Sequence, residues 1–201
     1  MLGNNFSGAI FNRNKGFIKG DDYMKLDKGL IQVYTGDGKG KTTAAIGQGI
    51  RAYGNGLKVI MVQFLKSGYT GELKVIEELG ENFKLYRFEK KRDFIWNLSD
   101  AEIEEVKQEV RQGFEFVKEV IAEGKCDVLI LDEMMGVLSN GFITVDELKA
   151  ELLSKKANME IVLTGRNVPE EIVEAADLVT EMKLINHPFE KGIGARKGIE
   201  Y

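Results

Sequence analysis

Residues 35–43, TGDGKGKTT, constrain this chain more than any other stretch. They follow the apolar run Leu30-Ile31-Gln32-Val33-Tyr34 and lead into a segment of helical pattern over 42–53. A strand that ends in a glycine-rich turn and opens a helix gathers backbone N–H groups and the positive end of a helix dipole at one point. Gly36, Gly38 and Gly40 let the main chain wrap closely around a polyanion. Lys41 brings a point charge to phosphate oxygens, and the Thr42 hydroxyl suits a Mg²⁺ ligand. The whole loop (Thr35, Gly36, Asp37, Gly38, Lys39, Gly40, Lys41, Thr42 and Thr43) is therefore assigned to a nucleoside triphosphate. The common pattern G-x-x-x-x-G-K-[ST] asks for glycine where this chain has Thr35. That departure implies a different loop path or nucleotide pose, and it warns against inferring ATP hydrolysis from the loop alone.

Beyond the loop the pattern alternates. Strands are expected at 30–34, 58–64, 83–88, 127–131, 160–163 and 178–182, and helices at 42–53, 72–79, about 100–123, 145–153 and 169–176. Ser99 with Glu102 reads as a capping box, Gly124 as a stop, Thr144 as a cap, and Pro169 as a first-turn proline. Alternation of this kind means a three-layer α/β fold with a mainly parallel sheet, and ligands bind beyond the carboxyl ends of its strands. Residues 1–28, rich in Gly and Asn, read as a flexible segment or an arm over a ligand, with 29–201 as one domain. A net charge of −4 leaves no basic footprint for nucleic acid, and no apolar stretch is long enough to cross a membrane. With one Cys and one His, neither a disulfide framework nor a His/Cys zinc site can be built within the chain, and a reducing cytoplasm fits. Cys126, beside a strand, reads as a small core residue.

Carboxylates at the end of a central strand in a phosphate-loop protein hold Mg²⁺ or its waters, so Asp132 and Glu133 are metal candidates, and either could be the direct ligand. Arg166 follows the strand at 160–163 and could clamp phosphate; the alternative is a surface charge. Arg51 lies on the loop helix, either as a ligand group or on a solvated face. Lys66 and the glycine-bounded segment up to Glu72 have the character of a binding loop. Phe94 and Trp96 would project to one side of an extended loop, or else anchor that loop to the core. The tail HPFEKGIGARKGIEY could cover an anionic ligand or fray. No guanine-reading motif is present.

Taken together, GDGKGKTTAA, VQFLK, LDE, LTGR, EAADLVTEMK and the tail resemble the phosphate-loop ATP:corrinoid adenosyltransferases of the cobalamin pathway, over about 29–201. That family's loop also lacks the first glycine. The resemblance implies a RecA-like fold, MgATP and a corrinoid as substrates, and transfer of the 5′-deoxyadenosyl group to cobalt with release of triphosphate. Lys41, Thr42 and Glu133 would be catalytic, Thr42, Asp132 and Glu133 would serve Mg²⁺, and Phe94 and Trp96 would meet the corrinoid. It also implies a cytoplasmic homodimer, a reduced flavoprotein as electron donor, and in some members an N-terminal lid. A phosphate-loop hydrolase or kinase, or a corrinoid carrier without turnover, are the competing readings.

Overall fold

A computed structural model describes residues 25–66, 68–90, 92 and 95–201. In chain order the elements are β1 (Ile31–Thr35), α1 (Lys41–Gly54), β2 (Val59–Gln63), α2 (Gly71–Leu79), β3 (Phe83–Tyr86), α3 (Asp100–Glu123), β4 (Val128–Asp132), α4 (Met134–Ser139), α5 (Val145–Ser154), β5 (Glu160–Thr164), α6 (Glu170–Ala175) and β6 (Leu178–Glu181). The six strands pair in parallel in the order β3-β2-β4-β5-β1-β6. β5 stands between the loop strand β1 and the acidic strand β4, which is the RecA-like arrangement.

β2, β4 and β5 are buried along their whole length, because helices cover both faces. Side chains alternate between the faces. Leu129 and Leu131 of β4 pack with Val110, Phe114 and Val117 of α3, whereas Val128 and Ile130 pack with Ala45 and Ala52 of α1 and Ile76 of α2. Edge strand β6 is exposed throughout.

The Ser99–Glu102 and Thr144–Glu147 capping boxes form, and Gly124 closes α3 in the left-handed region. A cap of this kind contributes about 1 kcal/mol. Pro169 differs from expectation. It is the extended N-cap of α6, so the helix starts at Glu170. β1, β4 and β5 each run one residue further than their apolar runs, because parallel pairing continues through Thr35, Asp132 and Thr164. Cys126 is buried, and burial pushes its thiol up to about 12. Residues 1–24 and Phe94 lie outside the described residues.

Candidate active site at the carboxyl edge of the sheet

The alternation that builds the core also builds the site. Val59 and Met61 in β2, Val128 and Ile130 in β4, and Val162 in β5 all face α1. Two residues further along the same faces stand Gln63, Asp132 and Thr164, the polar residues that close three otherwise apolar strands. Gln63 is in register with Asp132, and Thr164 follows the pair Leu131–Leu163. Thr42 reaches the same point from the first turn of α1.

Asp132 is fully buried and receives four hydrogen bonds. Its Oδ1 accepts from Thr42 Oγ1 at 2.8 Å and Thr164 Oγ1 at 2.7 Å; its Oδ2 accepts from Gln63 Nε2 at 3.0 Å and Lys66 Nζ at 2.9 Å. An ionised carboxylate offers about four acceptor sites, so this set satisfies it without solvent. Arg87 orients Gln63 by donating from Nε at 2.8 Å and Nη2 at 2.6 Å to Oε1. The same guanidinium donates to Gly68 O and to Thr70 Oγ1, which ties the loop before α2 to the network.

The loop is held from inside and from below. Lys41 Nζ donates to Gly36 O at 2.6 Å and Gly38 O at 2.9 Å. Burial, and then the nearby Arg166 charge, lower the pKa of this ammonium. Beneath the loop, Met182 N donates to Thr35 O at 2.8 Å and Gly38 N donates to Met182 O at 2.7 Å. A Cβ on Gly36 or Gly38 would lie 2.5 or 2.6 Å from that same carbonyl oxygen. Gly36 also has φ +97°, which only glycine adopts at low cost. These two glycines therefore admit the chain after β6. Thr35 ends β1 on the face of Ile31 and Val33, away from α1, so no glycine is needed there.

Above the loop lies a cleft of about 1210 Å³, lined by residues 37–43, Lys66, Glu133, Arg166 and much of the chain after β6. Glu133 stands between β4 and α4 with φ +58°, and its N–H donates to Thr164 Oγ1 at 2.9 Å. Burial and then Asp132 raise its carboxyl pKa. Arg166 lies 3.6 Å from Asp37 with both side chains exposed, a pairing weak enough to be exchanged for a phosphate. The tail meets the cleft instead of fraying. Lys39 Nζ donates to Glu200 Oε1 and Ile199 O, each at 3.0 Å, and Arg196 with Lys39 holds the Glu200 carboxyl at about 2.

Not every sequence candidate converges here. Arg51 is in the last turn of α1, about 15 Å along the axis from Lys41, and is not a cleft residue. Trp96 occupies a 3-10 turn, Ile95–Asn97, so the extended alternative does not hold there; Ile95 tucks against the core and Trp96 is 78% exposed. Arg92 fastens this loop to α3 through Glu109 and Glu105. Roles that sequence reasoning did not assign fall to Gln63, Arg87, Thr164 and Met182. For Gln63 and Thr164 the available signal was a polar residue ending an apolar strand.

The model of the family described as ATP:corrinoid adenosyltransferase BtuR/CobO/CobP matches residues 27–201. A corrinoid adenosyltransferase of Sinorhizobium sp is 39% identical over 178 residues, covering 87% of this chain and 81% of the relative. Proteins with that same description from Pseudomonas aeruginosa and Escherichia coli K12 are 33% and 32% identical over 176 residues, covering 87% of this chain and 85% and 87% of their own lengths.

Proposed function

The chain belongs to the ATP:corrinoid adenosyltransferase family, and on that premise we propose how its cleft carries out the reaction. The enzyme transfers the adenosyl group of ATP to a corrinoid in cobalamin biosynthesis. The nucleophile is the cobalt of a cob(I) corrinoid, bound as substrate. Its electron pair forms the bond to the ribose 5′-carbon, the C5′–O5′ bond breaks, and triphosphate departs with the electron pair of that broken bond. Cobalt needs no general base, so the protein's task is to place the carbon and to stabilise the charge growing on the leaving group.

The observation that carries this reading is the convergence of Lys41, Thr42, Glu133 and Arg166 on one cleft at a helix N-terminus. Lys41, Arg166 and the N–H groups of residues 39–43 grip the triphosphate, and Thr35, Gly36, Asp37 and Gly38 shape the loop beneath it. The oxygens present fit Mg²⁺. They are hard donors, and among the described residues no group of three His, Cys, Asp or Glu side chains is close enough to form a protein cage. Mg²⁺ is characteristically held by one or two carboxylates together with substrate phosphates and water. Thr42 and Glu133 would hold the ion, and Asp132, whose acceptor sites are filled while Lys66 is in place, would act through Thr42. Bound there, the ion supplies positive charge to the departing triphosphate.

Trp96 offers a large exposed apolar face on a loop fastened to α3, which suits the flat corrinoid. In this reading Phe94 and Trp96 displace the lower axial ligand of a cob(II) corrinoid and ease its reduction by a flavoprotein. Trp96→Ala should then impair the reaction started from cob(II)alamin more than the one started from chemically reduced cob(I)alamin; equal losses would make Trp96 structural. The reading extends to a cytoplasmic homodimer, supported by the exposed Leu178 and Val179 of edge strand β6, and to residues 1–28 as a lid. Among the described residues no helix is long and apolar enough to cross a membrane.

Product analysis tests the core of the proposal. Anaerobic incubation with MgATP and cob(I)alamin should yield intact triphosphate and a photolabile cobalt–carbon bond. ADP and phosphate as main products would replace the transferase with a hydrolase, and corrinoid binding without adenosylation would make it a carrier.

A further inference from the structure

Among the described residues Asp132 forms one ion pair, with Lys66, and its four donors differ in freedom. Thr164 is buried at the end of β5, and its hydroxyl also accepts from Glu133 N. Gln63 is buried at the end of β2 and clamped by Arg87. Thr42 belongs to the first turn of α1. Lys66 alone sits on a long flexible stem at the cleft wall, with 26% of its side chain exposed. Its Nζ lies 2.9 Å from Asp132 Oδ2 and 3.4 Å from Thr42 Oγ1.

We propose that Lys66 is a displaceable counter-cation: it neutralises the Thr42–Asp132 pair, yields that position to a divalent ion arriving with the nucleotide, and moves its own charge onto the triphosphate. This rests on the reading that Thr42 serves a divalent ion. Two cations cannot share the position, since repulsion between an ammonium and a divalent ion a few ångströms apart is strong where water is scarce. Of the four donors, Lys66 has the long, part-exposed stem that can withdraw into the cleft, whereas Gln63 and Thr164 are fully buried. Its chemistry suits the movement, being a compact point charge with rotatable donors, whereas the planar fork of an arginine would lock. The backbone before it is anchored. Leu65 takes φ +54° and its N–H donates to Glu89 Oε1 at 3.1 Å, so the side chain can swing while the turn stays. Lys66 thereby becomes a positioning residue for the metal and a contact for the leaving group.

The test uses Mn²⁺ alone, without nucleotide or corrinoid. Lys66→Met frees one Asp132 acceptor site and removes the competing charge, so Mn²⁺ titrated by electron paramagnetic resonance should bind at least about tenfold tighter than to wild type, a change typical of groups next to a metal. Lys66→Arg, which keeps a cation in place, should stay at the wild-type affinity. Equal affinity in Lys66→Met and wild type overturns the proposal. If Lys66→Met is unfolded in metal-free buffer, Mn²⁺ alone should restore its circular dichroism spectrum; failure to fold with the ion present also overturns it. Because no turnover is measured, loss of the adenosyl-transfer reading would leave this result standing, and the reverse holds too.

Discussion

Replacing Lys41 by alanine should slow adenosyl transfer by a factor on the order of 10²–10³, the usual cost of removing one preorganised donor to a developing oxyanion. Lys41 is almost fully buried, and its ammonium is cradled by two carbonyls of its own loop. Burial and Arg166 lower its pKa, so the charged form is held at some cost until an anion arrives. The triphosphate repays that cost most fully as the C5′–O5′ bond breaks and its charge grows. The loss should therefore fall on kcat as well as on kcat/KM. Lys41→Arg should rescue little, because a fork does not fit between Gly36 O and Gly38 O as a point charge does. The loop should survive the alanine substitution, since Met182 secures it from beneath through Thr35 and Gly38. Steady-state kinetics with cob(I)alamin decide the matter: a raised KM at unchanged kcat would mean that Lys41 contributes only uniform binding.

Much of this site was legible in the sequence, because its chemistry is local. A strand, a glycine turn and a helix start lie within about twenty residues, so Lys41 and Thr42 could be assigned from spacing alone. Asp132 and Glu133 were legible because an apolar run marks a buried strand, and carboxylates that end such a strand in a phosphate-loop protein mark a metal site. The burial of Asp132 under four donors, with Glu133 left to line the cleft, was not. It depends on which face each side chain takes and on three strands that are remote in sequence but adjacent in the sheet. Met182 under the loop is likewise set by the pairing of β1 with β6, which no local pattern reveals. α4 leaves no sequence signal because Met134–Ser139 is a six-residue helix without a side-chain cap, opened by Glu133 in the left-handed region. The turn at Trp96 is silent in the sequence for a related reason: a 3-10 turn leaves no period in three residues.

Asp132→Ala should lower stability by about 3 kcal/mol, the lower end for breaking a buried ion pair by removal of one partner. The lower end applies because Lys66 is a quarter exposed and can turn its ammonium to water, whereas Gln63 and Thr164 cannot move away. At about 2–4 °C per kcal/mol for a chain of this size, thermal unfolding should begin roughly 6–12 °C earlier. A midpoint within about 2 °C of wild type would show that the network contributes nothing to folding. Lys66→Met alone should also destabilise, since it leaves the carboxylate buried without its direct ion-pair partner. The pair separates charge from packing. If the two side chains matter to stability mainly through each other, Asp132→Ala with Lys66→Met should cost less than the sum of the single changes. Activity should show no such recovery. With Asp132 gone the Thr42 hydroxyl loses its acceptor, so the double variant should fold better than the singles predict and still transfer adenosyl groups slowly.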